Sequence, residues 1–186
     1  LATPFRYRPY PRGSRFRRAG LAPGVWYGAE KPATAVAEMV FYRLLFHAES
    51  PLTPLPDRAA EYTALRAALG TGCALDLTRG ALVADRARWT HPTDYDACQT
   101  LAETARTMGA VLIRYASVRD PAKGANLAVL VCRAFRAPAP LERQTWHIRI
   151  GPTGAQAVCE HPRLGLEFPR ALFEADPRLA SGGSLP

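Results

Sequence analysis

The chain has 186 residues, 48% of them hydrophobic, and its 24 Lys and Arg outweigh 16 Asp and Glu for a net charge of +8. That length can bury a real core without needing a second one, so residues 1–186 are expected to form a single domain. No run of about 18 apolar residues occurs, and "LATPFRYRPY" has no apolar segment behind its charges, so a cytoplasmic protein with neither export nor a membrane span is expected.

The first 24 residues hold four prolines and six arginines, Arg6, Arg8, Arg12, Arg15, Arg17 and Arg18, and read as a basic looped arm. Such charge either attracts acidic partners, phosphates among them, or forms a solvated basic face. Nucleic acid is not the expected partner, because neither regularly spaced base-stacking aromatics nor a helix-turn-helix pattern is evident. "GVWYGA" (24–29) suits a strand. "EKPATAVAEMVFYRLLFHAE" (30–49) predicts a helix with Pro32 in its first turn. Val36, Met39, Val40 and Leu44 fall on one side with Phe41 and Leu45 beside them, so the helix is apolar on most of its circumference and buried.

"SPLTPLP" (50–56) is a connector, "EYTALRAAL" (61–69) fits strand or helix, and "CALDL" (73–77) is a short strand. "THPTDYDACQTLAETARTMG" (90–109) reads as a helix entered through Thr93 or Asp94 and closed by Gly109. "AVLIRY" (110–115), "NLAVLVCRAF" (126–135) and "QTWHIRI" (144–150) are strands, and residues 180–186 form a flexible tail. This order belongs to an α+β domain rather than to alternating βαβ units. Cys73, Cys98, Cys132 and Cys159 are far apart with no C-x-x-C, as are His47, His91, His147 and His161. Buried free thiols and no metal site are the expectation. Neither a G-x-G-x-x-G nor a P-loop pattern is present.

Glu38 is the most telling residue. A carboxylate amid "AVAEMVF" must be paired, protonated or turned to a cleft, since desolvating it alone costs several kcal/mol. The alternative places it on a polar stripe, Thr34, Glu38 and Tyr42 at i, i+4 spacing, facing solvent near Arg43. Ser117 lies where an apolar strand meets "VRDPAKGA", as a turn residue or as a site group at a rigid strand end. No G-x-S-x-G surrounds it, so it is no hydrolase nucleophile. Trp26 and Tyr27 alternate, one toward the core and one toward another surface. Arg15 in "GSRFRR" could hold a phosphate through its guanidinium fork.

Taken in order, "GSRF" with Arg15, "VWYGAE" with Tyr27, "TAVAE" with Glu38 and "YASVRDPAKGANL" with Ser117 and Asn126 resemble the motifs of the RES-domain family, the toxins of RES and Xre toxin–antitoxin pairs. "WTHPTDYDACQ" and "RQTWHIRI" are also typical of one branch. The resemblance implies an ADP-ribosyltransferase-like fold, split β-sheets around a central NAD cleft with flanking helices. It implies consumption of NAD by cleavage of the nicotinamide glycosidic bond, with ADP-ribose passing to a protein acceptor, water or phosphate, and an Xre-type antitoxin as partner. On that footing Glu38 stabilises the oxocarbenium-like ribose, and Ser117 hydrogen-bonds the ligand or orients Glu38. Arg15 or Arg17 clamps the diphosphate, Tyr27 stacks on the ligand, and Asn126 joins the NAD-binding set. The rival reading is a non-catalytic basic module that grips nucleic acid or an acidic protein.

Overall fold

The computed structural model describes residue 5 and residues 13–20 and 23–180. Most of the expected arm, including Arg6, Arg8 and Arg12, and all of the expected tail at 180–186 except Ala180, which ends a helical turn at Pro177–Ala180, lie outside the described residues.

Two four-stranded sheets and a set of helices make an α+β fold. The first sheet has the order β1-β5-β4-β3, from β1 (Trp26–Ala29), β5 (Ala125–Val129), β4 (Leu112–Ala116) and β3 (Ala74–Asp76). β3 runs parallel to β4 and the other pairs are antiparallel. The second sheet is antiparallel throughout, with β2 (Ala60–Arg66), β6 (Glu142–Gly151), β7 (Gly154–Cys159) and β8 (Leu164–Pro169) in chain order.

Helix α1 (Pro32–Glu49) touches both sheets. Pro32 starts it with no loss, since a first-turn N–H has no partner within the helix. Val36, Val40, Phe41, Leu44 and Leu45 pack against Trp146, Ile148 and Ile150 of β6 and Phe168 of β8. Met39, grouped with these by periodicity, instead stays 39% exposed at the mouth of a cleft. A short helix, α2 (Arg86–Trp89), leads to α3 (Asp96–Thr107), which lays Cys98, Ala102 and Ala105 over Ile113, Tyr115, Ala128 and Leu130.

Several boundaries moved. α3 begins at Asp96 rather than at Thr93 or Asp94, because His91 Nδ1 accepts the Asp94 N–H at 2.8 Å and Asp94 Oδ1 accepts the Asp96 N–H at 3.0 Å, which hold 91–95 as a turn. Its close at Gly109, in the left-handed region with φ 78°, is as expected. The run at 126–135 leaves the sheet after Val129 and coils into a 3-10 turn at Cys132–Ala134. The ambiguous "EYTALRAAL" contributes to strand β2. The β7–β8 hairpin, unread in the sequence, buries Ala155, Ala157 and Cys159 on alternate positions; residues this small hide the alternation. All four cysteines are free, with Cys98 and Cys159 buried as expected but Cys73 and Cys132 exposed. Among the described residues, no helix is long and apolar enough to cross a membrane.

Candidate active site

The C-terminal end of β4, the start of β5, β1 and one face of α1 enclose a cleft of about 480 Å³. Its position follows from the register: Asn126 of β5 pairs with Ala29 of β1 on one side and Tyr115 of β4 on the other. Asn126 therefore stands on a central strand beneath the helix that carries Glu38.

Glu38 Oε1 accepts two hydrogen bonds, from Ser117 Oγ at 2.7 Å and from Asn126 Nδ2 at 2.6 Å. Ser117 Oγ in turn accepts the backbone N–H groups of Arg119 at 3.2 Å and Asp120 at 3.0 Å. With those lone pairs engaged, the single hydroxyl proton is directed at the carboxylate. Ser117 is thus a turn residue and a partner of Glu38 at once. Donation from Asn126 Nδ2 fixes its amide orientation and leaves Oδ1 buried without a hydrogen-bond partner. The polar stripe along α1 does not face solvent as a unit. Thr34 is fully buried, Glu38 is half-buried at the cleft, and Tyr42 is exposed, so the reading of Glu38 as a solvent-facing partner of Arg43 gives way.

Thr34 turns inward because Asp120 draws it there. Its Oγ1 donates to Asp120 Oδ2 at 2.7 Å, and the same carboxylate accepts the N–H groups of Ala122 at 2.9 Å and Gly124 at 3.1 Å. This knot ties the 117–124 loop to the first turn of α1 and so sets Ser117 against Glu38. A methyl group on Gly124 would collide with Thr34 Oγ1 and lie 2.6 Å from Asp120 Oδ2. Gly124→Ala is expected to destabilise the protein by about 1–3 kcal/mol, read as a lower midpoint in urea denaturation.

Tyr27 and Trp26 point opposite ways, as alternation requires. Trp26 packs edge-on to Phe135 at 5.4 Å. Tyr27 presents its ring to the cleft, while its hydroxyl shares a hydrogen bond with Ser14 Oγ at 2.9 Å and accepts the Phe16 N–H at 3.0 Å. Burial pushes the Tyr27 hydroxyl pKa up, and the bonds to Ser14 and Phe16 offset part of that.

Residues 14–17 form a tight turn in which Ser14 and Arg17 exchange backbone hydrogen bonds at 2.7 and 3.1 Å. Phe16 anchors it edge-on against Tyr115 at 4.8 Å. Arg15 leaves the turn into the cleft wall, where Nη1 donates to the Trp89 carbonyl at 3.0 Å and the guanidinium lies 4.5 Å from the centre of the Tyr95 ring. Arg17 is not among the residues that line the cleft. Arg18 straps the turn to α3, through Asp96 at 2.7 Å and Glu103 at 2.7 Å.

Among the other side chains that line the cleft, Met39, Tyr42 and Arg119 have no local signal that marks them as site residues. Met39 and Tyr42 follow Glu38 on α1, and Arg119 follows Ser117. Although Tyr42 is 52% exposed, desolvation raises its hydroxyl pKa, and Tyr95 and Glu38 add to the effect, whereas Arg119 and Arg15 oppose it. A neighbouring cavity of about 380 Å³ is basic, lined by Lys31, Arg79, Arg86, Arg114 and Lys123, with Arg114 bound to Glu30 at 2.7 Å. Glu38, Ser117, Asn126, Arg15, Arg17 and Tyr27 are not among its lining residues.

Arg119 pairs with the fully buried Asp176 at 2.7 Å, and Arg178 binds the same carboxylate at 2.8 Å. Burial alone would raise the Asp176 pKa. Hydrogen bonds from Arg178 and the charges of both arginines outweigh it and hold the carboxyl below its usual value. A carboxyl depressed in the folded state stabilises the fold above its unfolded pKa of about 4, and that contribution is lost as pH falls through the folded value. Asp176→Asn is therefore expected to be destabilising at neutral pH. The gap from the parent protein should narrow below about pH 4, which urea denaturation across that range measures.

Fold and cleft together define an α+β protein in which one carboxylate and two guanidinium groups face a common concave space. Residues 1–150 match the RES domain family model, and the chain belongs to the RES-domain family. That family is associated with toxin–antitoxin pairs and with the use of NAD. No curated protein matches the chain.

Proposed function

We propose that this protein is the toxin of a toxin–antitoxin pair that consumes NAD, breaking the bond between nicotinamide and ribose and passing ADP-ribose to a protein acceptor, water or phosphate. The observation that carries the reading is the Glu38 carboxylate, held by Ser117 and Asn126 in the cleft that Arg15 also lines.

The chemistry follows from those positions. As the C1′–N bond breaks, its electron pair leaves with nicotinamide and positive charge develops on the ribose. A carboxylate fixed beforehand stabilises that charge without reorganising at the moment of reaction. Ser117 and Asn126 do the fixing, because both donate to one oxygen of Glu38. The acceptor atom then bonds to C1′ and gives up its proton to solvent, which balances the departure of neutral nicotinamide. Two negative charges on the ligand's diphosphate suit guanidinium forks better than point charges, which is the work of Arg15. The Tyr27 ring bounds the cleft where a flat or sugar surface would rest. The buried, unpartnered Asn126 Oδ1 offers an acceptor to a ligand hydroxyl or carboxamide N–H. These features fit NAD as substrate.

An Xre-type antitoxin is the partner this reading calls for, and the exposed Met39, Tyr42 and Phe46 run along α1 out of the cleft as apolar surface it would cover. The deciding experiment incubates purified protein with NAD, with and without phosphate and cell extract, and identifies products by mass spectrometry. Free nicotinamide with ADP-ribose, its 1″-phosphate or a modified protein is expected. NAD undiminished in every mixture, together with salt-sensitive binding to nucleic acid, would favour a non-catalytic basic module.

A further inference from the structure

We infer that Arg119 is a second guanidinium for the ligand's diphosphate, and that Asp176, from the chain beyond the family-matched region, holds it in the cleft. The inference rests on the NAD reading for the identity of the ligand, and on geometry for everything else.

Arg119 lies two residues past Ser117, and its backbone N–H binds the hydroxyl that contacts Glu38. Its side chain is buried yet lines the same cleft as Glu38 and Arg15. The guanidinium stacks 3.8 Å from the centre of the Phe41 ring, and Phe41 sits one turn beyond Glu38 on α1. One Arg119 nitrogen, Nη2, donates to the Pro92 carbonyl at 2.7 Å and meets Asp176 at 2.7 Å.

The segment 89–95 holds both cleft arginines. Arg15 bonds the Trp89 carbonyl and stacks on Tyr95, while Arg119 bonds the Pro92 carbonyl; the Tyr95 hydroxyl closes the segment by donating to that same carbonyl at 3.2 Å. Two positive groups are thereby fixed relative to each other by one short stretch of chain. A diphosphate carries two adjacent negative charges and is the anion such a pair matches.

Burying Arg119 without an anion would be costly, and Asp176 supplies one. Asp176 serves two arginines, so the trio of Arg119, Asp176 and Arg178 keeps one positive charge uncompensated. That residual charge, with Arg119 on the cleft wall, is available to a ligand. Asp176 is a positioning residue: it sets the guanidinium and touches no ligand itself. Residues 170–180 are thus part of how the site is built, although the family match stops at 150.

The test measures binding of ADP-ribose and of inorganic pyrophosphate by calorimetry, so it does not depend on turnover. Arg119→Lys keeps the charge that Asp176 needs and loses the planar fork; it should lose some stability, stay folded at the temperature of the measurement, and weaken both ligands by about tenfold. Asp176→Asn should weaken them similarly. In the double variant the losses should not add, because both changes act through one guanidinium. Asp176→Glu, which restores the charge, should recover most of the affinity. Should Asp176→Asn fail to fold, as its thermal unfolding will show, Arg119→Lys alone decides the ligand role and Asp176→Glu the positioning role.

Unchanged affinity in Arg119→Lys, or additive losses in the double variant, overturns the inference. So does a parent protein that binds neither ADP-ribose nor pyrophosphate. A parent protein that binds both but leaves NAD intact overturns the enzymatic reading and leaves the two-arginine site standing.

Discussion

Replacing Glu38 with Gln is expected to lower the rate of NAD consumption by about 10²- to 10³-fold, with little change in thermal stability. The substitution keeps the shape of the side chain and an oxygen that can still accept from Ser117 and Asn126, so the β4–α1–β5 junction has no reason to open. What it removes is the negative charge opposite the developing positive charge of the ribose, and that charge matters only in the transition state. The loss should therefore fall on kcat, with KM for NAD nearly unchanged. Mass spectrometry of nicotinamide released over time measures it, and parental turnover in Glu38→Gln would remove Glu38 from the mechanism.

Arg15→Gln is expected to act on KM instead. Losing a charge-assisted, fork-shaped contact to a diphosphate weakens binding by about 10- to 100-fold. Arg17→Gln should change KM by no more than about twofold, as a substitution away from the ligand does. Arg15 is also buried against Tyr95 and the Trp89 carbonyl, so its variant will lose some stability, and KM is to be compared at a temperature where both variants are folded. A raised KM in Arg17→Gln with a parental value in Arg15→Gln would reverse the assignment.

These two experiments correspond to two kinds of legibility. Glu38 announces itself in the sequence, because a carboxylate in the buried part of an apolar helix needs a reason to be there. The strand and helix around it are also local facts: β1 follows from alternation and α1 from Pro32 and its apolar periodicity. The choice between Arg15 and Arg17 is of another kind. Both lie in "SRFR" on the same side of an alternating pattern, and only the closed turn from Ser14 to Arg17, pinned by Phe16 and Tyr27, separates their directions. Met39 shows the reverse error, since its periodicity is that of the core while its place is at the cleft mouth. Periodicity reports which face of a helix is apolar, but not where that face passes from a packed neighbour to an open cleft.

Sequence by itself determined the α+β class, the presence of helix α1 with its apolar core face and the family motifs, because each depends on residues within a few positions of one another. It did not show that the opposite face, with Met39, Tyr42 and Phe46, stays exposed. Tertiary structure decided what those motifs do together. Ser117 lies 79 positions from Glu38, Asn126 lies 88 from it, and Trp89 lies 74 from Arg15. Arg119 and Asp176 carry no local signature at all, being an ordinary arginine in a polar loop and an ordinary aspartate ahead of a proline. Their roles come from a buried charge that must find its counter-charge, and only the packing of distant segments determines which partner stands within reach.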